Sequence, residues 1–270
     1  MKSFNHLLFY RLGMSYILII CHLQSQSQIP SQPVDNAINH SVHYLQSRID
    51  SAALYFYIVP LLDPLNQYYQ LGISPSEQYI HQYSTSEQEL IRIFAPLTRY
   101  SQSIMPFIPS DLHSTAINRV LLFSLYGQQS GKSKHFQLDL DSLIQWGGYD
   151  LTHAYFSLLI LQNTRFLPAK KIAKQLQKVK SIMLTLLPLP HQAYSDLDVE
   201  VIAMLLYGGE QLADDYILGL IHQQSDEGAF YEYSSDGKID ELMTDHKTVL
   251  ALWALLEWKH INDNTLFLAK

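Results

Sequence analysis

Four times along this chain an aspartate opens a run of mostly apolar residues at helical spacing. The stretches read SDLHSTAINRVLLFSLY from Ser110, YDLTHAYFSLLIL from Tyr149, SDLDVEVIAMLLY from Ser195 and TDHKTVLALWALL from Thr244. The aspartates Asp111, Asp150, Asp196 and Asp245 are spaced by 39, 46 and 49 residues. A period of that size fits one helix pair per repeat. Runs as apolar all round as Ala154–Leu161 and Val249–Leu256 belong in an interior, and amphipathic helices between them cover them from outside. The expectation is an all-α chain of inner helices wrapped by outer ones, either a closed or partly closed ring of helical hairpins or a curved stack of them.

Composition agrees with a folded helical chain. Of 270 residues, 47% are hydrophobic and 16% charged, too apolar for a disordered segment and too often interrupted by polar positions for a multi-span membrane protein. Eleven Gly and 11 Pro leave long stretches without a turn former. Lys+Arg 18 against Asp+Glu 25 gives a net charge of −7, which repels a phosphate backbone and argues against nucleic acid as a partner. Residues 1–27 read as an export signal: Lys2 and Arg11 precede the short apolar run Leu12–Cys21, and Ser25 and Ser27 supply small residues before a cut at Gln28. The expected domains are this signal and a helical domain over 28–270, in a secreted or periplasmic protein. A membrane enters only if the segment stays uncleaved as an anchor. Cys21 is the only cysteine, so removing the signal leaves neither a disulfide nor a thiol nucleophile.

Individual helices can be placed by their start signals. Asp35 reads as the cap of a helix carrying Ile38, Val42, Leu45 and Ile49, and Ser86 with Glu89 as a capping box. Pro168 opens a lysine-bearing helix with Ile172, Leu176, Val179, Met183 and Leu186 inward, stopped by Pro188. Ser124–Asp139 and Ser225–Asp240 read as loops. Gly127-Gln-Gln-Ser-Gly131-Lys132-Ser133 ends like a phosphate-binding loop but is one residue short and follows no strand; no G-x-S-x-G elbow is present.

Two short motifs add a resemblance. Gln224-Ser-Asp-Glu-Gly228-Ala-Phe230 is similar to the Q-x-x-x-G-x-W motif of squalene-type cyclases, with Phe in place of Trp. Asp196-Leu-Asp198-Val199, followed by Glu200 and Ala203, resembles the D-x-D-D stretch that opens an inner helix of class II cyclases, with Val199 in place of the last aspartate. Over about Asp111 to Trp258 the chain thus resembles the α/α-toroid superfamily, which includes terpenoid cyclases, protein prenyltransferase β-subunits and carbohydrate-active toroids. The resemblance implies an α/α toroid, or an incomplete ring of its hairpins. It gives Asp198, the middle aspartate of the motif, the role of proton donor.

If the inner helices run in one direction, their starts gather at one mouth. Asp111, Asp150, Asp196, Asp198 and Asp245 then meet His113, His153 and His246 above an apolar core. Crowded carboxylates, one protonated and one ionised, suit general acid–base chemistry. Asp198, flanked by Asp196 and Glu200, is the candidate acid; His153, one helical turn after Asp150, is the candidate base. Asp196 and Asp245 complete the candidate catalytic set, and Trp146, Tyr149, Phe230 and Tyr231 form a substrate platform. The same aspartates equally suit N-caps, contributing about 1 kcal/mol each. An Asp/His cluster suits a metal, but no H-E-x-x-H or EF-hand spacing is present, so neither metal nor cofactor is expected. Two functions remain: a non-catalytic binding or scaffold protein of the cell envelope that docks a ligand or protein partner, and an acid–base enzyme acting on a glycan or, second, a lipid-like isoprenoid.

Overall fold

The computed structural model describes residues 29–55, 58–75, 79–81, 93, 94, 98, 115–127, 133–190 and 192–262. Among them the chain is all-helical. Nine helices of ten residues or more follow in order: α1 (Ser31–Asp50), α2 (Val59–Tyr69), α3 (Ala116–Tyr126), α4 (Ser133–Trp146), α5 (Gly148–Thr164), α6 (Ala169–Thr185), α7 (Asp196–Tyr207), α8 (Asp214–Gln223) and α9 (Glu241–Asn262). The described residues contain no strand, only an isolated antiparallel bridge between Tyr233 and Ile239. No helix among them is long and apolar enough to cross a membrane.

The helices divide by how they are buried. In α7 every residue from Val199 to Leu206 is buried, and in α9 every residue from Lys247 to Trp258, because apart from Glu200, Lys247, Thr248 and Glu257 these runs are apolar on all sides. α6 buries only Ile172, Val179 and Met183, three of the five positions expected to face inward, and turns its lysines to solvent. The buried helices pack in sequence, α3 on α5, α5 on α7 and α7 on α9, with α4 seated on α3 and α5, and α6 on α5 and α7. α1 and α8 both pack on α9 and on each other, and α2 packs on α9. One hydrophobic core runs through all of them, with Leu45, Leu65, Leu158, Leu205 and Leu255 among its buried members; each such leucine contributes about 1.5–3 kcal/mol on transfer from water.

Several starts differ from expectation. α1 begins at Ser31, four residues before Asp35, which lies within the helix and pairs with Lys259 of α9 rather than capping. The proposed loop Ser124–Asp139 is mostly helix: α3 runs to Tyr126 and α4 starts at Ser133. On α4 its described polar residues His135, Gln137 and Asp139 are exposed or half-buried, while Phe136, Leu140 and Leu143 are buried at helical spacing. α4 passes into α5 through Gly147 and Gly148, at φ 74° and 55°, a left-handed pair that reverses the chain within two residues. The loop over Ser225–Asp240 is present apart from its bridge. Residues 1–28, Ser86, Glu89, Asp111 and His113 lie outside the described residues.

The Q-x-x-x-G-x-F stretch has a structural task. Gln224 donates through Nε2 to the Ala37 carbonyl and to Ser41 Oγ, both at 2.9 Å, tying the loop after α8 to α1. Gly228 sits at φ 92° against the His40 carbonyl, where a Cβ would collide with the backbone. Phe230 is fully buried in the core.

Candidate functional site

The N-terminal turns of α5, α7 and α9 converge, and the convergence starts from local chemistry on α7. Ser195 accepts from the Asp198 N–H (3.3 Å), and Asp198 Oδ2 accepts from the Ser195 N–H (2.8 Å) and hydroxyl (2.7 Å), a complete capping box. With the helix start fixed, Asp196 and Glu200, four residues apart, share one face and point toward α5 and α9. Both are essentially buried, at 1% and 3% exposure, which two carboxylates tolerate only with compensation.

The neighbouring helices supply part of that compensation. Asp196 lies 2.9 and 3.0 Å from His246 Nδ1 on α9 and accepts a 2.9 Å bond from the Tyr149 hydroxyl on α5. Burial alone would lower the His246 pKa, but the Asp196 hydrogen bond and charge, with the Glu200 charge, raise it overall. Burial and Asp196 both push the Tyr149 hydroxyl upward, so it stays a proton donor. Glu200 Oε1 contacts the Thr152 hydroxyl. That hydroxyl is also 2.7 Å from the Tyr149 carbonyl, so its single proton is shared between two acceptors. His153 Nδ1 is 3.8 Å from Glu200 Oε1, but at 2.7 Å from the Tyr149 carbonyl it must carry a proton and donate it there. Glu200 Oε2 is buried and has no hydrogen-bond partner among the described residues.

Part of this cluster lines a cavity of about 140 Å³. Glu200, His153 and His246 are its polar lining; Phe156, Met204, Leu250 and Trp253 are among the apolar side chains that make up the rest. A carboxylate oxygen of Asp196, one of Glu200 and a ring nitrogen of His246 lie within 4.8 Å of one another, so among the described residues these three are placed to hold a metal.

The candidate residues from the sequence separate into distinct groups. Asp196, Tyr149 and His153 come together with Glu200 and His246. Asp198, the expected acid, is engaged in the capping box, and its position in the D-x-D-V stretch puts it on a different face from Asp196. Asp150 is part-exposed in the first turn of α5 and does not line the cavity. Asp245 faces α1, where Oδ1 accepts from Arg48 Nε and the Tyr44 hydroxyl and Oδ2 from an Arg48 terminal nitrogen, all at 3.0 Å. Phe230 is core, and Trp146 is 62% exposed at the end of α4. Tyr231 bonds Glu227 through its hydroxyl and gives its carbonyl to Lys247. Thr152 escaped notice in the sequence, although its place three residues after Tyr149 puts the two on one face. No protein-family model matches the chain, and comparison with curated proteins and with solved structures finds no match.

Proposed function

We propose that this chain is an α/α-toroid-type protein whose cavity takes the apolar body of a small amphipathic molecule and presents its polar end to Asp196, Glu200 and His246, where the chemistry takes place. The reading is supported above all by Glu200, a buried carboxylate with one oxygen that has no partner among the described residues, at the wall of a mainly apolar cavity. A buried acceptor of this kind calls for a partner, and a ligand in the cavity that Glu200 lines can supply it. The apolar lining favours a lipid-like or aryl ligand over a glycan, whose hydroxyls require polar partners throughout. A cavity of about 150 Å³ with such a lining holds a molecule the size of benzene, which sets the scale of the buried portion. The toroid itself belongs to the proposal, supported by the alternation of fully buried and one-sided helices. So does an exported location, which rests on Lys2, Arg11 and the run Leu12–Cys21.

The test uses chromogenic probes with an aryl body, 4-nitrophenyl hexanoate and 4-nitrophenyl β-glucoside. The full chain is expected to bind the ester saturably and to release nitrophenolate faster than His246→Ala does, with Met204→Trp blocking both. Saturable binding without product would leave a binding protein, the reading that the mainly apolar lining favours second. Absence of saturation with either probe would contradict the proposal.

A further inference from the structure

We infer that Asp196, Glu200 and His246 hold a single divalent cation of the Zn²⁺ or Mn²⁺ class at the polar end of the cavity. The inference deepens the function proposed above by naming what makes that end reactive.

Asp196 and Glu200 are both essentially withdrawn from water, on adjacent turns of one helix. His246 can supply at most one positive charge, and the other nearby imidazole, His153, stands 3.8 Å from Glu200 Oε1 and directs its Nδ1 hydrogen to the Tyr149 carbonyl, so among the described residues no cation meets Glu200 at hydrogen-bond distance. The nearest lysine in sequence, Lys247, is committed elsewhere, donating to Glu232 at 2.8 Å and to the Tyr231 carbonyl at 3.0 Å. Hydrogen bonding does not make up the deficit: Glu200 receives a share of one threonine proton on Oε1 and nothing from the described residues on Oε2. An acceptor so placed is complete when it binds a cation.

Geometry points the same way. Ligand atoms about 2.1 Å from a common ion at roughly 90–109° lie about 3.0–3.4 Å apart. Asp196 and His246 already stand 2.9–3.0 Å from each other, and the three donors fall within 4.8 Å, so closing the shell takes a contraction of at most about 1.4–1.8 Å at the widest pair, within reach of side-chain rotation. Tyr149 and Thr152 contact the carboxylates from α5, the kind of outer support that orients metal ligands. One imidazole and two carboxylates are a mixed nitrogen and oxygen set, which suits Zn²⁺ or Mn²⁺ better than a purely hard or a thiophilic ion. Three protein ligands leave a coordination position for water or for the polar head of a ligand in the cavity, where a bound ion polarises a carbonyl or activates water.

The experiment strips the full chain with EDTA, passes it through a desalting column, and titrates Zn²⁺ and then Mn²⁺ by calorimetry, with bound metal counted by mass spectrometry after gel filtration. One ion per chain is expected for at least one of the two. Affinity should fall at least 100-fold in Glu200→Gln and His246→Gln, about 10-fold in Thr152→Val, and not at all in Asp198→Asn; circular dichroism confirms that each variant folds. Should Glu200→Gln fail to fold, the Thr152→Val affinity carries the test. Failure of the wild type to retain either ion, or equal retention by wild type and Glu200→Gln, would overturn the inference. If 4-nitrophenyl hexanoate still binds saturably in that case, the cavity reading stands without the metal; if it too fails, both fall.

Discussion

Two neighbours on α9 face opposite fates. Asp245 looks toward α1 and His246 toward α7, and each belongs to a buried polar cluster containing a carboxylate. In the first, Asp245 is fully buried and accepts three bonds, two from the Arg48 guanidinium and one from Tyr44. Burial pushes the Asp245 carboxyl upward against the pull of Arg48, and Arg48 itself, which burial alone would lower, is raised overall by Asp245. The two-pronged geometry identifies an ionised pair, so the Arg48 direction is the one that describes this site. In the second cluster two buried carboxylates are served by His246, by the Tyr149 and Thr152 hydroxyls and, at 3.8 Å, by His153; among the described residues no guanidinium reaches them and one Glu200 oxygen has no partner. Completed polar clusters hold helices together. Incomplete ones are kept because something else completes them.

The largest expected effect lies in the completed cluster. Asp245→Ala leaves the Arg48 charge without its partner and should cost about 3–5 kcal/mol, read as a lower midpoint in urea unfolding; a change below about 1 kcal/mol would erase the contrast. Glu257, a third carboxylate on α9, sharpens it, because its partners are neutral: Trp253 Nε1 donates to it at 2.9 Å. Burial raises its pKa above the ordinary 4.5. A carboxyl raised in the folded state binds its proton more readily there, so its contribution is fully present below the unfolded value and is lost as pH rises through the folded value. Glu257→Gln should therefore be more stable than wild type at pH 8, and the gap should close as pH falls toward 4.5; a gap independent of pH would rule this out. The smallest effect belongs to Asp198→Ala, which removes one half of a capping box. It should cost about 0.5–1 kcal/mol and leave cavity binding unchanged, and a loss of binding there would return Asp198 to the site.

The sequence showed the helical architecture more fully than the site, for physical reasons that individual residues make clear. Runs such as Val201–Leu206 are apolar on every face, which marks them as interior, and the helix-start residues before them mark them as helix. α4 was hidden because its first half carries His135, Gln137 and Asp139, which read as loop until Phe136, Leu140 and Leu143 are placed beneath them. For the site, an aspartate beside an apolar run has two uses, capping and chemistry, and the choice between them depends on which face the helix turns inward. Asp198 sits at the third position of its helix, where a side chain reaches back to Ser195. Asp196 and Glu200 carry the four-residue spacing that was the available signal, two carboxylates on one face of an otherwise apolar helix. His246 joins them across 50 residues, a contact that only packing of α9 on α7 creates.

The most direct test of the contrast compares Glu200→Gln with Asp245→Ala by urea unfolding of EDTA-treated protein at pH 7. Asp245→Ala should lose about 3–5 kcal/mol, and Glu200→Gln, which relieves a buried and under-supplied charge, should equal or exceed the wild type, with a gain of up to about 1–2 kcal/mol. A loss in Glu200→Gln as large as that in Asp245→Ala would contradict the account, since it would make Glu200 a structural anchor and leave the cavity without a reactive end.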